Sequence, residues 1–242
     1  MFRHKGKSRT IVHNLKLASL LSFVAGIVNV AGFLAVYRLT TNVTGHFAFF
    51  ADGVITRDYG AAGVYLLFIL SFLAGAFTSN MVMELVATRN LKYIYTIPVL
   101  METGILVFIA FMGPATILRD SNIIACALLF SMGLHNALVT SVSNAVVRTT
   151  HLTGLFTDLG IELSQLFFYR KKEQRKKLRA SIFLRVVIIG FFFTGCLAGG
   201  FGFFRWGIHI LLLAAVCLLT GLMYDTLKFK VVVLRRRYLQ HS

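Results

Sequence analysis

Residues 26–45 read GIVNVAGFLAVYRLTTNVTG, and residues 133–154 read GLHNALVTSVSNAVVRTTHLTG. Both stretches carry a glycine three residues before an asparagine, Gly26 with Asn29 and Gly133 with Asn136, at an offset of 107. Both then carry T-T-x-x-T-G. Thr40-Thr41-Asn42-Val43-Thr44-Gly45 matches Thr149-Thr150-His151-Leu152-Thr153-Gly154 at an offset of 109. A weaker echo sets Leu73-Ala74-Gly75-Ala76-Phe77 against Leu197-Ala198-Gly199-Gly200-Phe201. The chain reads as two related halves.

The surrounding composition says what kind of halves they are. Of 242 residues, 57% are hydrophobic and 14% charged, with two prolines and 23 phenylalanines. The mean hydropathy is +0.76. A soluble domain is about half apolar with about a quarter of its residues charged. Disordered chains, disulfide scaffolds and ordinary cytosolic enzymes are thereby excluded. A transmembrane helix needs roughly 20 apolar residues to cross about 30 Å of hydrocarbon. Six runs qualify: 17–36, 63–83, 93–113, 122–147, 182–204 and 206–224. The last two are separated only by Arg205, which fits a helical hairpin. The runs lack the period-2 alternation of a barrel. The first is too long for a signal-peptide core and has no A-x-A cleavage site, so it reads as a retained signal-anchor.

The expected fold is therefore an all-α polytopic membrane protein, one membrane domain over 1–242. It has six transmembrane helices in two repeats of three, about 17–113 and about 122–224. Three is odd, so the second repeat enters from the opposite side and the topology is inverted. Inverted repeats of transporters place their site near the midplane at the repeat interface, where helices break. The segments after the first and fourth spans are read as broken or re-entrant. Residues 46–55 are too few to span, and residues 155–169 set Asp158, Glu162 and Gln165 beside an apolar stripe at helical spacing.

Orientation follows from charge. The net charge is +16, from 25 Lys and Arg against 9 Asp and Glu. With a cytoplasmic N-terminus, every Lys and Arg except Arg38, Arg57, Arg119 and Arg205 falls on the inner side. Both termini are expected in the cytoplasm, and the chain in the cell inner (plasma) membrane. The basic loop 170–181 and tail 226–242 face anionic lipid headgroups. No aromatic residues are interleaved with 170–179, so no nucleic-acid partner is expected. Cys126, Cys196 and Cys217 are apolar fillers of the spans, and Gly195–Gly202 reads as close helix packing.

The repeated motifs are the candidate site. Thr or Asn before a helix caps free N–H groups, and the positive end of a helix can bind an anion. Asn29, Thr41, Asn42, Thr44 and Gly45 in one half are expected to meet Asn136, Thr150, His151, Thr153 and Gly154 in the other. The alternative is that T-x-x-T-G is only a capping turn. An ionisable residue inside a span is a functional candidate by default. Glu102 and His135 lie in spans, and with Asp158 they are the proton-coupling candidates; the alternative for Glu102 and for His135 is a hydrogen bond to a neighbouring helix. Glu84 with Arg89 reads as a boundary ion pair. No histidine spacing suits a metal, and no cofactor is expected.

With these residues in hand, the chain resembles the YoaK-like family of bacterial six-span membrane proteins of unknown function. Members carry G-x-V-D-A-x-x-F, S-N-M-T-G-N, M-G-x-Q-N-A and T-x-x-T-G-x-L-T-x-L in order. Here these are Gly26-Ile27-Val28-Asn29-Val30-Ala31-Gly32-Phe33, then Thr41-Asn42-Val43-Thr44-Gly45-His46. The second pair is Met132-Gly133-Leu134-His135-Asn136-Ala137, then 150–159, from Thr150-His151-Leu152-Thr153-Gly154 to Leu159. Asn29 replaces the family's aspartate and His46 its asparagine. The resemblance implies the six-span fold and supplies no reaction.

The function expected from the residues is a small-solute permease or channel, open to proton coupling through Glu102, with an unidentified small solute as partner. A homo-oligomer stays open. An intramembrane enzyme is the alternative, with Ser131 or Ser143 near His135, though neither lies in G-x-S-x-G. A non-transporting receptor or scaffold is the other. The topology is checked by reporter fusions: one at Asp120 is expected outside and one at Glu173 inside, and both on one side would overturn six spans.

Overall fold

The computed structural model describes residues 11–89 and 93–224. Arg3, Lys5, Lys7, Arg9, Lys92, the side chain of Arg89 and the tail 226–242, on which part of the charge reading rests, lie outside the described residues. In chain order the helices are α1 (Ile11–Val36), α2 (Val43–Ile55), α3 (Tyr59–Arg89), α4 (Thr96–Ala110) and α5 (Pro114–Arg119). Then come α6 (Ser121–Ser143), α7 (Leu152–Phe168) and α8 (Lys172–Trp206). A 3-10 turn at Gly207–Ile210 leads into α9 over residues 211–224. No strand occurs among the described residues.

Four helical stretches, Asn14–Val36, Tyr59–Thr88, Ser121–Ser143 and Lys172–Tyr224, are long and apolar enough to cross a membrane. That fits a multi-pass membrane protein. The fourth stretch is not one rod. Gly207 stands at φ +61°, a conformation that glycine adopts without a Cβ penalty, and the chain reverses there. Lys16 Nζ donates to the Tyr224 hydroxyl at 3.2 Å, so the end of α9 lies beside the start of α1. The hairpin was expected to turn at Arg205, yet Arg205 remains helical and Gly207 makes the turn. The run 93–113 also differs, holding only the 15 residues of α4, about 22 Å of helix. Pro114 disfavours helical backbone at Gly113 and opens α5 instead.

α1 and α6 form the centre. In their apolar windows 61% of residues are buried, against 22% in α3. α8 packs along α1, and α3 along α6, in both cases running parallel. A Cβ on Gly26 would run into the Phe192 carbonyl oxygen, and one on Gly195 into that of Phe23. The α3–α6 contact has the same form: Gly133 faces the Phe72 carbonyl and Gly75 that of Phe130. Gly26 and Gly133 keep the offset of 107, but Gly75 matches Gly195, an offset of 120. The echo of 73–77 with 197–201 was therefore one helical turn out of register. Gly195 and Gly199 share a helix face, and Gly199 packs on Ile27, so small residues alone did not set the register.

The outer faces of α3 and α8 are apolar and exposed, at Leu66, Leu70, Leu73 and Phe77 and at Phe193, Leu197, Phe201 and Phe204. Water would not favour such continuous stripes, whereas hydrocarbon does. Gly26→Val and Gly133→Val are each expected to cost about 1–3 kcal/mol by overpacking, read as a lower midpoint of thermal unfolding in detergent. Gly104→Ala and Gly190→Ala, which meet open space, should leave the midpoint unchanged or raised.

Candidate functional site

α1 ends at Val36, and Tyr37 takes the left-handed conformation at φ 52°. The chain folds back along its own helix. Thr41 Oγ1 donates to Asn29 Oδ1 at 2.6 Å, and Thr40 Oγ1 donates to the Val28 carbonyl at 3.3 Å. α6 ends at Ser143 with Asn144 and Ala145 left-handed, at φ 54° and 62°. Thr150 Oγ1 then donates to Asn136 Oδ1 at 2.8 Å. Each asparagine stands seven residues before its helix end, so each threonine reaches about 10 Å back along the helix. The two residues added between the motifs are taken up in the longer 144–148 turn.

The same bond thus closes twice, but each closes inside its own half. The sets expected to meet across an interface, Asn29, Thr44 and Gly45 with Asn136, Thr153 and Gly154, share no hydrogen bond among the described residues. The seven-residue reach explains it, because each loop is spent on its own preceding helix. Thr44 and Thr153 are exposed on the first turns of α2 and α7. Asn42 is the α2 cap, its Oδ1 accepting from the Gly45 N–H at 3.0 Å. His46 Nε2–H donates to the Leu39 carbonyl at 2.7 Å, and its ring packs on Tyr65 and Phe68. α7 lacks such a cap. His151 precedes it without a side-chain cap bond, its ring lying against Gly154.

Between the 144–148 turn, α7 and α8 lies a cavity of about 450 Å³, lined in part by Arg148, His151, Gly154, Asp158, Ser181 and Arg185. One wall is an ion cluster that ties α7 to α8. Arg185 Nη1 meets Asp158 Oδ2 at 2.9 Å, and Arg185 Nε meets Glu162 Oε2 at 2.9 Å. Arg185 Nη2 and Ser181 Oγ both donate to Glu162 Oε1, at 3.0 and 2.6 Å. Asp158, a proton-coupling candidate from sequence, is here an ion-pair partner with half its side chain exposed. Arg185 had been counted only as an inward-side charge. Its partners sit 23 and 27 positions away, beyond any helical spacing.

Glu102 of α4 and His135 of α6 are brought together. His135 Nδ1 lies 2.8 Å from Glu102 Oε1, and both side chains are 0% exposed. Glu102 Oε2 and His135 Nε2 have no hydrogen-bond partner, and neither does Ser131 Oγ, one turn before His135. The sequence marked both members of this pair but could not join residues 33 apart on different helices. Among the described residues no three His, Cys, Asp or Glu side chains gather as a metal ligand set.

The family is then decided by sequence. The model of a family described as a protein of unknown function, DUF1275, matches residues 17–224. The chain belongs to DUF1275. The match covers both Thr–Asn bonds, the buried Glu102–His135 pair and the ion cluster of this DUF1275 chain. No curated protein and no solved structure matches it.

Glu162 lies in α7, outside the candidate spans. Burial raises its pKa, but the hydrogen bonds from Arg185 and Ser181 and the Arg185 charge outweigh it, leaving the carboxyl below its ordinary value. A depressed carboxylate stabilises the fold above the ordinary range and stops doing so as pH falls through the folded value. The thermal midpoint should therefore show an acid step below about pH 4. Glu162→Gln should remove its part of that step and cost about 1–2 kcal/mol at neutral pH, read by melting wild type and variant across pH.

Proposed function

We propose that this chain is a small-solute permease with six spans in two inverted three-helix repeats. α1, α3 and α4 would be the spans of one repeat, and α6, α8 and α9 those of the other. Both glycine crossings support that pairing, since each joins the first span of one repeat to the second of the other. The charge bias supports cytoplasmic termini in an inner membrane, with the basic loop 170–181 against anionic headgroups. The spans in this reading put α2 on the outer side and α7 on the inner side.

The Thr–Asn bond made twice carries the reading. Hydroxyl and amide groups at that depth cost about 1–3 kcal/mol each if unpaired, and here they pair with each other in both halves. Such a pair can open to a solute that accepts and donates in its place, so each is a gate of matching chemistry, one reached from each side. The cavity lies on the approach from the inner side to the Thr150–Asn136 gate. Its Arg148 and the uncapped α7 N-terminus favour a small polar solute that accepts hydrogen bonds.

One observation favours a second reading, an intramembrane hydrolase. His135 meets Glu102 through Nδ1, which leaves Nε2 for a nucleophile, and Ser131 is buried one turn away. The two readings separate by experiment. A thermal-shift screen of small polar solutes on the purified protein, followed by flux into proteoliposomes, should find a cargo. Its flux should fall about tenfold or more in Thr41→Val and Thr150→Val, since valine cannot donate. Wild-type flux in both variants would overturn the permease reading. Labelling of Ser131 by a fluorophosphonate without any solute flux would favour the hydrolase.

A further inference from the structure

The two Thr–Asn gates are alike in sequence yet unequally closed. In the first, Thr40 adds a second bond, to the carbonyl of Val28. By the offsets of 107 and 109, the matching bond in the second gate runs from Thr149 to the carbonyl of His135. It is not made: Thr149 is fully buried and its Oγ1 has no partner. The residues on either side of Thr149 and Thr150 in sequence, Arg148 and His151, line the cavity. The missing acceptor of the second gate belongs to His135, the member of the buried acid–base pair. The first gate has Val28 at that position and no such pair.

The chemistry of the pair restricts its charge. A net charge at that depth costs several kcal/mol, so the dry pair holds one proton in common. It sits either as Oε1–H donating to Nδ1 or as Nδ1–H donating to the carboxylate. In both forms Nε2 carries a hydrogen, so a buried donor at Nε2 and a buried acceptor at Oε2 stand ready for a water or a solute. Loss of the shared proton leaves Glu102 anionic and His135 neutral, a state tolerated only where water reaches it.

Other ionisable groups on the packed elements are engaged elsewhere. Lys16 of α1 binds Tyr224, and Tyr65 of α3 stacks on Phe49. Glu84 of α3 is exposed, and Tyr95 of α4 lies two turns before Glu102. Arg119 of α5 pairs with Asp120, Cys126 of α6 lies nine residues before His135, and His209 of the turn packs on Phe111. On the cavity side, Asp158 and Glu162 are held by Arg185.

We propose that the Glu102–His135 pair is a one-proton site that controls the second gate: the gate closes, with Thr149 bonding the His135 carbonyl, only when the pair holds its proton. The inference rests on the permease reading for its purpose and on the geometry of this site for its existence. The pair is fully buried in the structure, so its proton leaves only when water reaches it, and one must return before the gate shuts.

The test uses the full chain in inside-out vesicles, with Cys126, Cys196 and Cys217 replaced by alanine and the buried Val147 replaced by cysteine. The probe is a membrane-impermeant maleimide. Labelling should rise with pH by about tenfold more than in the same chain carrying Glu102→Gln, which imitates the protonated acid. The variant ratio removes the ordinary rise in thiolate with pH. Equal pH profiles in the two chains overturn the proposal. The flux of Thr150→Val judges the permease reading separately.

Discussion

Two places where helix backbones touch without a side chain between them govern the rest of this structure. At Gly26 with Gly195, and at Gly75 with Gly133, each missing Cβ leaves room for a carbonyl oxygen of the facing helix. In hydrocarbon there is no hydrophobic drive between helices, and close van der Waals approach replaces it. The crossings set α8 against α1 and α3 against α6, which leaves α1 and α6 central and sends the phenylalanine-rich faces outward. The site depends on this directly. Asn29 and Asn136 each follow a crossing glycine by three residues, so the tightest packing is adjacent to the polar bonds.

Two matched Thr–Asn pairs anchor the polar interior. Thr41–Asn29 and Thr150–Asn136 satisfy groups that would otherwise be buried unpaired, and left-handed residues at both helix ends turn the chain back far enough to make them. Tyr37 holds that conformation without being glycine or asparagine, a strain of about 1–3 kcal/mol that the returning loop sustains. The Glu102–His135 pair differs: it joins α4 of the first half to α6 of the second, and Val28, the position that matches His135, offers no such side chain.

The ion cluster of Asp158, Glu162 and Arg185 has a different character. It joins the amphipathic α7 to α8 at the cavity rim, with part of its charge exposed. It links the two helices at that wall of the cavity, and it accounts for Asp158, which sequence could read as a proton carrier.

Much was legible along the chain because it depends on each segment's own partition. Apolar runs report helices suited to a membrane, and the repeated G-x-x-N and T-T-x-x-T-G report two related halves. Cap chemistry at Asn42 is local too. The tertiary structure alone decided which residues meet. It moved the hairpin turn from Arg205 to Gly207 and shortened the third run to the 15 residues of α4. It slid the 73–77 echo by one turn and closed each Thr–Asn bond within its own half. It also joined Glu102 to His135 and gave Arg185 to Glu162. The reason is geometric. A helix of 3.6 residues per turn presents similar faces after a shift of one turn, so a sequence specifies the face but not the axial register. Side chains on separate helices meet only once packing sets both rotation and height.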